Sequence, residues 1–289
     1  MPVGQNNPQK CSYGLYAEQL SGSSFTQARH TNFRSWLYRI QPSVAHQPYK
    51  PVSDDRFQKV SNEFSDKSHF EVNPNQLRWK PIPFPSESEK RTFIEGLLIV
   101  GGHGDPQAKN GLAIYQYSCN SSMDHQAMYN SDGDFLIVPQ LGTLYITTEF
   151  GKLTVSPTSI CVIPRGIRFA VDVNENSRGW ICEIYESHYR LPDLGPIGAN
   201  GLANERDFEA PTAYYEDKQG EEFTIYNKFM GKFFYITQDH SPFDVVGWHG
   251  NYYPYRYDLN KFCPMNAVSF DHPDPSIFTV LTAPSAEIG

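Results

Sequence analysis

Between residues 92 and 185 the chain breaks into short apolar runs, rich in Val, Ile, Leu, Tyr and Phe, that are mostly closed by turn residues. Runs at 92–100, 111–118, 134–138, 143–149, 152–155, 160–163, 167–173 and 179–185 read as strands, and Asp132-Gly133 and Phe150-Gly151 mark tight turns between them. Many short strands joined by turns point to an all-β core with irregular decoration. Arg34–Ile40 alternates polar and apolar residues like one more strand, and further strand-like segments fall at 222–237, 243–248 and 265–270. Helix candidates are scarce. Residues 41–90, rich in Pro, Ser and charge, predict a long irregular surface excursion.

The 18 Tyr and 19 Phe among 289 residues argue for a packed core rather than disorder. A net charge of −8 with no basic stripe argues against a nucleic-acid partner. No apolar run approaches a membrane span, and the polar Met1–Asn7 start lacks the apolar stretch of a secretory leader. The five cysteines (Cys11, Cys119, Cys161, Cys182, Cys263) are scattered without a close pair, which predicts reduced, buried thiols in the cytoplasm.

The best organised stretch, 129–173, resembles the barrel core of the cupin family. That family carries Pro-x-Gly-x-x-His, whose histidine binds metal. Here Pro164-Arg165-Gly166 is followed by Ile167, Arg168 and Phe169, so a phenylalanine stands in the ligand position. The neighbouring runs 134–138 and 144–149 hold no His-x-His pair. The expected fold is mainly β, a cupin-like jelly roll or β-sandwich with long irregular extensions and few helices, and with no metal in its own barrel.

Few residues suggest chemistry. His103-Gly104-Asp105 has the local spacing of a His/carboxylate pair, and His188 is a candidate to complete a facial triad with it. The surrounding Gly101-Gly102 and Asp105-Pro106 equally describe a polar turn. His125 and His188 read as loop or strand-edge residues, and His30, His46, His69 and His240 as surface. His249, among Trp248, Tyr252, Tyr253 and Tyr255, fits either a ligand cleft or a buried ring satisfied by a carbonyl. His272 lies between Asp271 and Asp274, with Pro273 and Pro275 stiffening the backbone; it reads either as a base poised near neutrality or as a rigid turn. The glycines of Leu191–Asn204 lack the strand and helix a dinucleotide loop needs, and there is no Gly-x-Ser-x-Gly elbow.

Longer motifs are more specific. Gln5-Asn6-Asn7-Pro8-Gln9, Leu15–Gly22, Asn75–Pro81, Tyr129–Leu136, Leu191–Asn204 and Asp271–Ser276 together resemble the homogentisate 1,2-dioxygenase family over nearly the whole chain. The resemblance implies an Fe(II)- and O2-dependent enzyme that opens the ring of homogentisate to maleylacetoacetate, in tyrosine and phenylalanine catabolism. It implies a homo-oligomer, with trimers paired into hexamers. It also implies that His272 is the acid/base residue, and that two His and one Glu in the C-terminal part hold the iron. No residue of this chain matches those ligands, so no metal or cofactor-binding residue is assigned. The expected division is an N-terminal β domain, 1–265, followed by the start of a C-terminal cupin-type domain, 266–289, cut short. Such a chain is expected to be inactive alone. The alternative is a non-catalytic β-domain module for oligomerisation or binding.

Overall fold

The computed structural model of the protein describes residues 12–60, 74–76, 78, 82–86, 88–193, 202–263 and 278–284. Within them the chain forms β1 (Tyr16–Ser21), β2 (Arg34–Arg39), β3 (Lys50–Pro51), β4 (Leu97–Asp105), β5 (Asn110–Cys119), β6 (Gln126–Asn130), β7 (Asp134–Leu141), β8 (Leu144–Thr148) and β9 (Gly151–Val155). There follow β10 (Ser159–Ile163), β11 (Phe169–Asp172), β12 (Ser177–Ile184), β13 (Phe208–Glu209), β14 (Gln219–Phe229), β15 (Lys232–His240), β16 (Val245–Gly250) and β17 (Tyr255–Asp258). The only helices among the described residues are short 3-10 turns, and none is long and apolar enough to cross a membrane.

One seven-stranded sheet runs β13-β17-β10-β7-β12-β5-β4, and the other runs β3-β15-β14-β6-β11-β8-β9. From β5 to β12 the chain alternates between the two sheets, except at the β8–β9 hairpin. That is the order of a jelly roll, with β5-β12-β7-β10 facing β6-β11-β8-β9. A third sheet, β1-β2-β16, brings the N-terminal segment against residues distant in sequence.

Alternation decides which side chains enter the sandwich. Leu144 and Ile146 of β8, and Leu153 and Val155 of β9, point in, while Tyr145, Lys152 and Thr154 point out. Phe169, in the position of the metal-binding histidine of the cupin pattern, is fully buried and meets the Phe93 ring edge-on at 6.2 Å. Burying such a ring contributes about 1.5–3 kcal/mol.

The structure departs from the sequence expectations at several points. Residues 92–96 form a turn before β4, with Thr92 N donating to the Glu95 carboxylate at 2.8 Å and Gly96 N to Thr92 O at 3.0 Å. The run 222–237 is a hairpin that reverses at Met230 (φ 50°) and Gly231 (φ 70°). Methionine is a poor residue for positive φ. Here Asp132 accepts from Met230 N at 2.6 Å and Gly231 N at 2.9 Å, so a contact from a distant loop holds the turn. The excursion 41–90 is not purely surface, because Phe57 and Val60 are buried in the core. The strand expected at 265–270 lies outside the described residues.

The same Asp132 belongs to a buried charge cluster at one end of the sandwich. Lys228 of β14, with no solvent exposure, donates to Asp132 at 2.7 Å and Glu183 at 3.0 Å. Tyr115 OH (2.6 Å) and Asn130 Nδ2 (2.6 Å) also donate to Glu183. Every charge has a partner, which is the condition under which buried ions are tolerated. Lys228→Met leaves two carboxylates without their cation and is expected to lower urea-unfolding stability by about 3–5 kcal/mol. Adding Asp132→Asn and Glu183→Gln to that variant should recover part of the loss; a loss under about 1 kcal/mol for Lys228→Met alone would show the cluster carries little.

Candidate functional site

Asp134 opens β7 immediately behind the Asp132-Gly133 turn, and its carboxylate is almost fully buried. One oxygen accepts from Arg165 N at 2.9 Å, the other from His188 Nδ1 at 2.7 Å. Arg165 sits in the Pro164-Arg165-Gly166 turn, and its guanidinium donates to the carbonyls of Tyr185, Glu186 and Ser187. The second ring nitrogen of His188 faces Gly22 O at 2.5 Å. Each ring nitrogen faces an oxygen within hydrogen-bond distance, so neither is left open to ligate a metal. Phe33 and Tyr252 stand edge-on to the imidazole, with centroids at 5.3 and 5.2 Å. Gly22 is required here because a Cβ would come within 2.3 Å of the Tyr252 ring.

This node also seats the last described segment. Arg190 and Thr282 exchange backbone hydrogen bonds at 2.9 and 2.8 Å, and Ser187 Oγ donates to Pro284 O at 2.5 Å. His272 lies outside the described residues.

The other candidates do not join His188. Asp105 is spent on the β4–β5 turn, where its carboxylate accepts from Gln107 N at 2.8 Å and its own N–H donates to Asn110 Oδ1 at 3.0 Å. His103 is exposed beside that turn, so the turn reading of His103-Gly104-Asp105 holds. His249 is not buried: it lies exposed on β16, stacked on Tyr38 at 5.6 Å. His240, expected at the surface, is buried, with Nδ1 3.1 Å from Asp239. His30 is exposed and His46 half-buried, while His69 lies outside the described residues. Cys119 and Cys161 are buried free thiols, and burial pushes Cys119 up to about 12. Cys263 is exposed, against the expectation that the thiols are all buried. No three His, Cys, Asp or Glu side chains among the described residues come together as a metal-donor group.

Charged side chains line two clefts among the described residues. One, of about 180 Å³, is lined by Glu18, Arg39, Tyr129, Glu149 and Arg168. Arg39, which sequence reasoning missed, is almost fully buried and pairs with Glu149 at 2.7 Å and with Glu18 and Asp244 at 3.2 Å. Burial opposes its charge, but the three carboxylates hold its pKa above the usual arginine value. The only local signal for it was a charged residue at an apolar-phase position of the Arg34–Arg39 alternation. The other cleft, of about 400 Å³, is bordered by His125, Asp172, Glu216, Lys218, Phe223 and Phe243. Burial raises the Asp172 pKa there, with Lys152 opposing it.

Comparison with known proteins decides the family. The model described as homogentisate 1,2-dioxygenase N-terminal matches residues 1–259, and that described as homogentisate 1,2-dioxygenase C-terminal matches residues 260–289. The chain belongs to the homogentisate 1,2-dioxygenase family. It is 62% identical over its whole length to the Caenorhabditis elegans homogentisate 1,2-dioxygenase and 56% identical to that of Homo sapiens. It spans 65% and 64% of the length of those two relatives. Among solved structures, a cupin-2 domain protein from Shewanella frigidimarina matches 30% of this chain and 78% of its own, at 17% identity and a TM-score of 0.26. The jelly-roll assignment stands on the strand order alone.

His125 provides a pH test within this family member. It sits at φ 50°, with Nε2 and Nδ1 each 2.9 Å from Glu221 and Asp124, and the Glu221 hydrogen bond raises its pKa, with Asp124 adding to it. A raised folded pKa means the stabilisation is complete below the unfolded value of about 6.5 and is lost as pH rises through the folded value. Wild type is therefore expected to out-melt His125→Gln at pH 5.5, with the gap closing at pH 8.5. A gap that widens with pH would contradict the pairing.

Proposed function

We propose that this chain forms the scaffold part of an Fe(II)- and O2-dependent dioxygenase that opens the ring of homogentisate, in the cytoplasmic breakdown of tyrosine and phenylalanine. The observation that carries this reading is the family match, which extends over every part of the chain at 56–62% identity to the two relatives above. His272 is the proposed acid/base residue. Placed between Asp271 and Asp274 in the sequence, it accepts the proton of a substrate phenol as the ring is engaged. We also place the division between an N-terminal β domain and a C-terminal cupin-type domain near residue 265, and the assembled enzyme as a homo-oligomer.

The described residues do not fit an Fe(II) site. A facial site needs two imidazoles and a carboxylate with open positions beside them. His188 has both nitrogens engaged, Asp105 is spent on a turn, and Asp132 and Glu183 are both paired with Lys228. What the described chain supplies is position: Asp134, Arg165 and His188 hold the 185–190 turn, and that turn holds 282–284.

The test is oxygen uptake with homogentisate and Fe(II), run on the 289-residue chain and on a fusion that continues it with the C-terminal third of the Caenorhabditis elegans relative. The fusion is expected to consume oxygen, and His272→Ala in it to cut the rate about 10²–10⁴-fold. The chain alone is expected to show no uptake and to bind Fe(II) no better than a surface-histidine control. A folded fusion without uptake would instead favour the non-catalytic module. Uptake by the 289-residue chain that His272→Ala abolishes would overturn the scaffold reading.

A further inference from the structure

The two large sheets treat their outer faces differently. On the sheet holding β8, β9 and β11, the outward residues include Tyr145, Lys152, Thr154 and Asp172, the mixed pattern of a face in water. On the sheet holding β5, β7, β10 and β12, the outward residues are mostly apolar in successive cross-strand rows. One row runs Val162, Leu136, Cys182, Ile114. The next runs from Val138 through Trp180 and Gln116 to Leu98. Beyond them Ile184 pairs with Leu112. The inward residues of the same strands, among them Tyr115, Phe135, Ile137 and Ile181, are already buried in the core.

These strands are therefore apolar on both sides, the composition of a sheet covered on both faces. Coverage among the described residues is partial. Tyr189 reaches Cys182 O at 3.0 Å and Tyr255 reaches Tyr189 O at 3.2 Å, so the turn after β12 shields one side. On another side Phe84 lies against the Arg178 guanidinium at 5.0 Å. Between them Ile114 stays 38% exposed and Leu112 37% exposed, with Leu98, Leu136, Val138, Trp180 and Cys182 only half-buried. Apolar surface of this kind, contiguous over three strands, marks a contact face.

We infer that this face seats the C-terminal domain of the family. Two observations select that occupant over a second copy of the chain. The C-terminal family model begins at residue 260, and its described stretch 278–284 already lies against the turn that borders the face, through Arg190–Thr282 and Ser187–Pro284. The relatives extend beyond the 64–65% of their length that this chain spans, so a polypeptide continuing from that border is the one delivered to the face. Docking there covers Ile114, Leu136, Trp180 and Cys182. The inference rests on the two-domain reading but not on the chemistry proposed for His272.

Cys182 reports on this directly. Its thiol lies in the middle of the first row and is half-buried, while Cys119 and Cys161 are buried references within the same chain. The measurement is the rate of maleimide labelling at Cys182, read by peptide mass spectrometry, in the 289-residue chain and in the fusion described above. A Thr154→Cys reporter on the opposite sheet serves as control. Labelling of Cys182 is expected to slow at least tenfold in the fusion while Thr154→Cys labels equally in both. As a second reading, Ile114→Lys should leave the melting temperature of the 289-residue chain within about 2 °C but lower that of the fusion by more. Equal Cys182 rates in a folded fusion would overturn the inference. So would slow, concentration-dependent labelling in the 289-residue chain, which would assign the face to a second copy. An inactive fusion with protected Cys182 would reject the proposed activity and keep the docking face.

Discussion

The carboxylate of Asp134 is the interaction on which the arrangement around the candidate site depends. It is buried, and its donors come from two other parts of the chain, Arg165 in the turn before β11 and His188 after β12. Through His188 it also reaches Gly22, at the end of β1, and through Arg165 it fixes three successive carbonyls of the turn that receives Thr282 and Pro284. A carboxylate in a dry site must find charged or N–H partners. Satisfying this one orders the N-terminal segment, the rim of the jelly roll and the approach of the C-terminal segment together.

Two further buried ions repeat the principle. Arg39 joins the small three-stranded sheet to the jelly roll through Glu149, with Asp244 just before β16 as a further partner, and Lys228 joins β14 to the core strands through Glu183 and Asp132. Each ties an added element to the eight-stranded roll by a pairing that only one register satisfies. Ion pairs of this kind add little net stability over apolar packing, and here they fix which elements meet. The polar interior at the Lys228 end and the Phe169 side chain in the middle also explain why the roll's own interior offers no cluster of free metal donors among the described residues.

Much of the strand succession was legible in the residues because it rests on local alternation and turn chemistry. β5, β7, β8, β9 and β10 fall on short apolar runs bounded on at least one side by Gly, Asp or Pro. The misses share a cause. β6 lacks an apolar run of its own, and the reversal at Met230-Gly231 is held by Asp132, almost a hundred residues earlier. Neither signal is local. The candidate site fared likewise. The Pro164-Arg165-Gly166 motif was visible as a turn, but that its arginine collects carbonyls for the next crossover was not.

What the sequence determined by itself was the class of fold, the absence of a histidine at residue 169, and the family, because these are carried by contiguous motifs such as Tyr129–Leu136 and Leu191–Asn204. Only the tertiary structure decided that His188 has both ring nitrogens engaged by protein oxygens, that His240 is buried and His249 exposed, and that one sheet face is largely apolar on the outside. Each of those depends on which strand lies beside which. Hydrogen bonds and burial are set by neighbours brought from far along the chain, and no local pattern of residues encodes them.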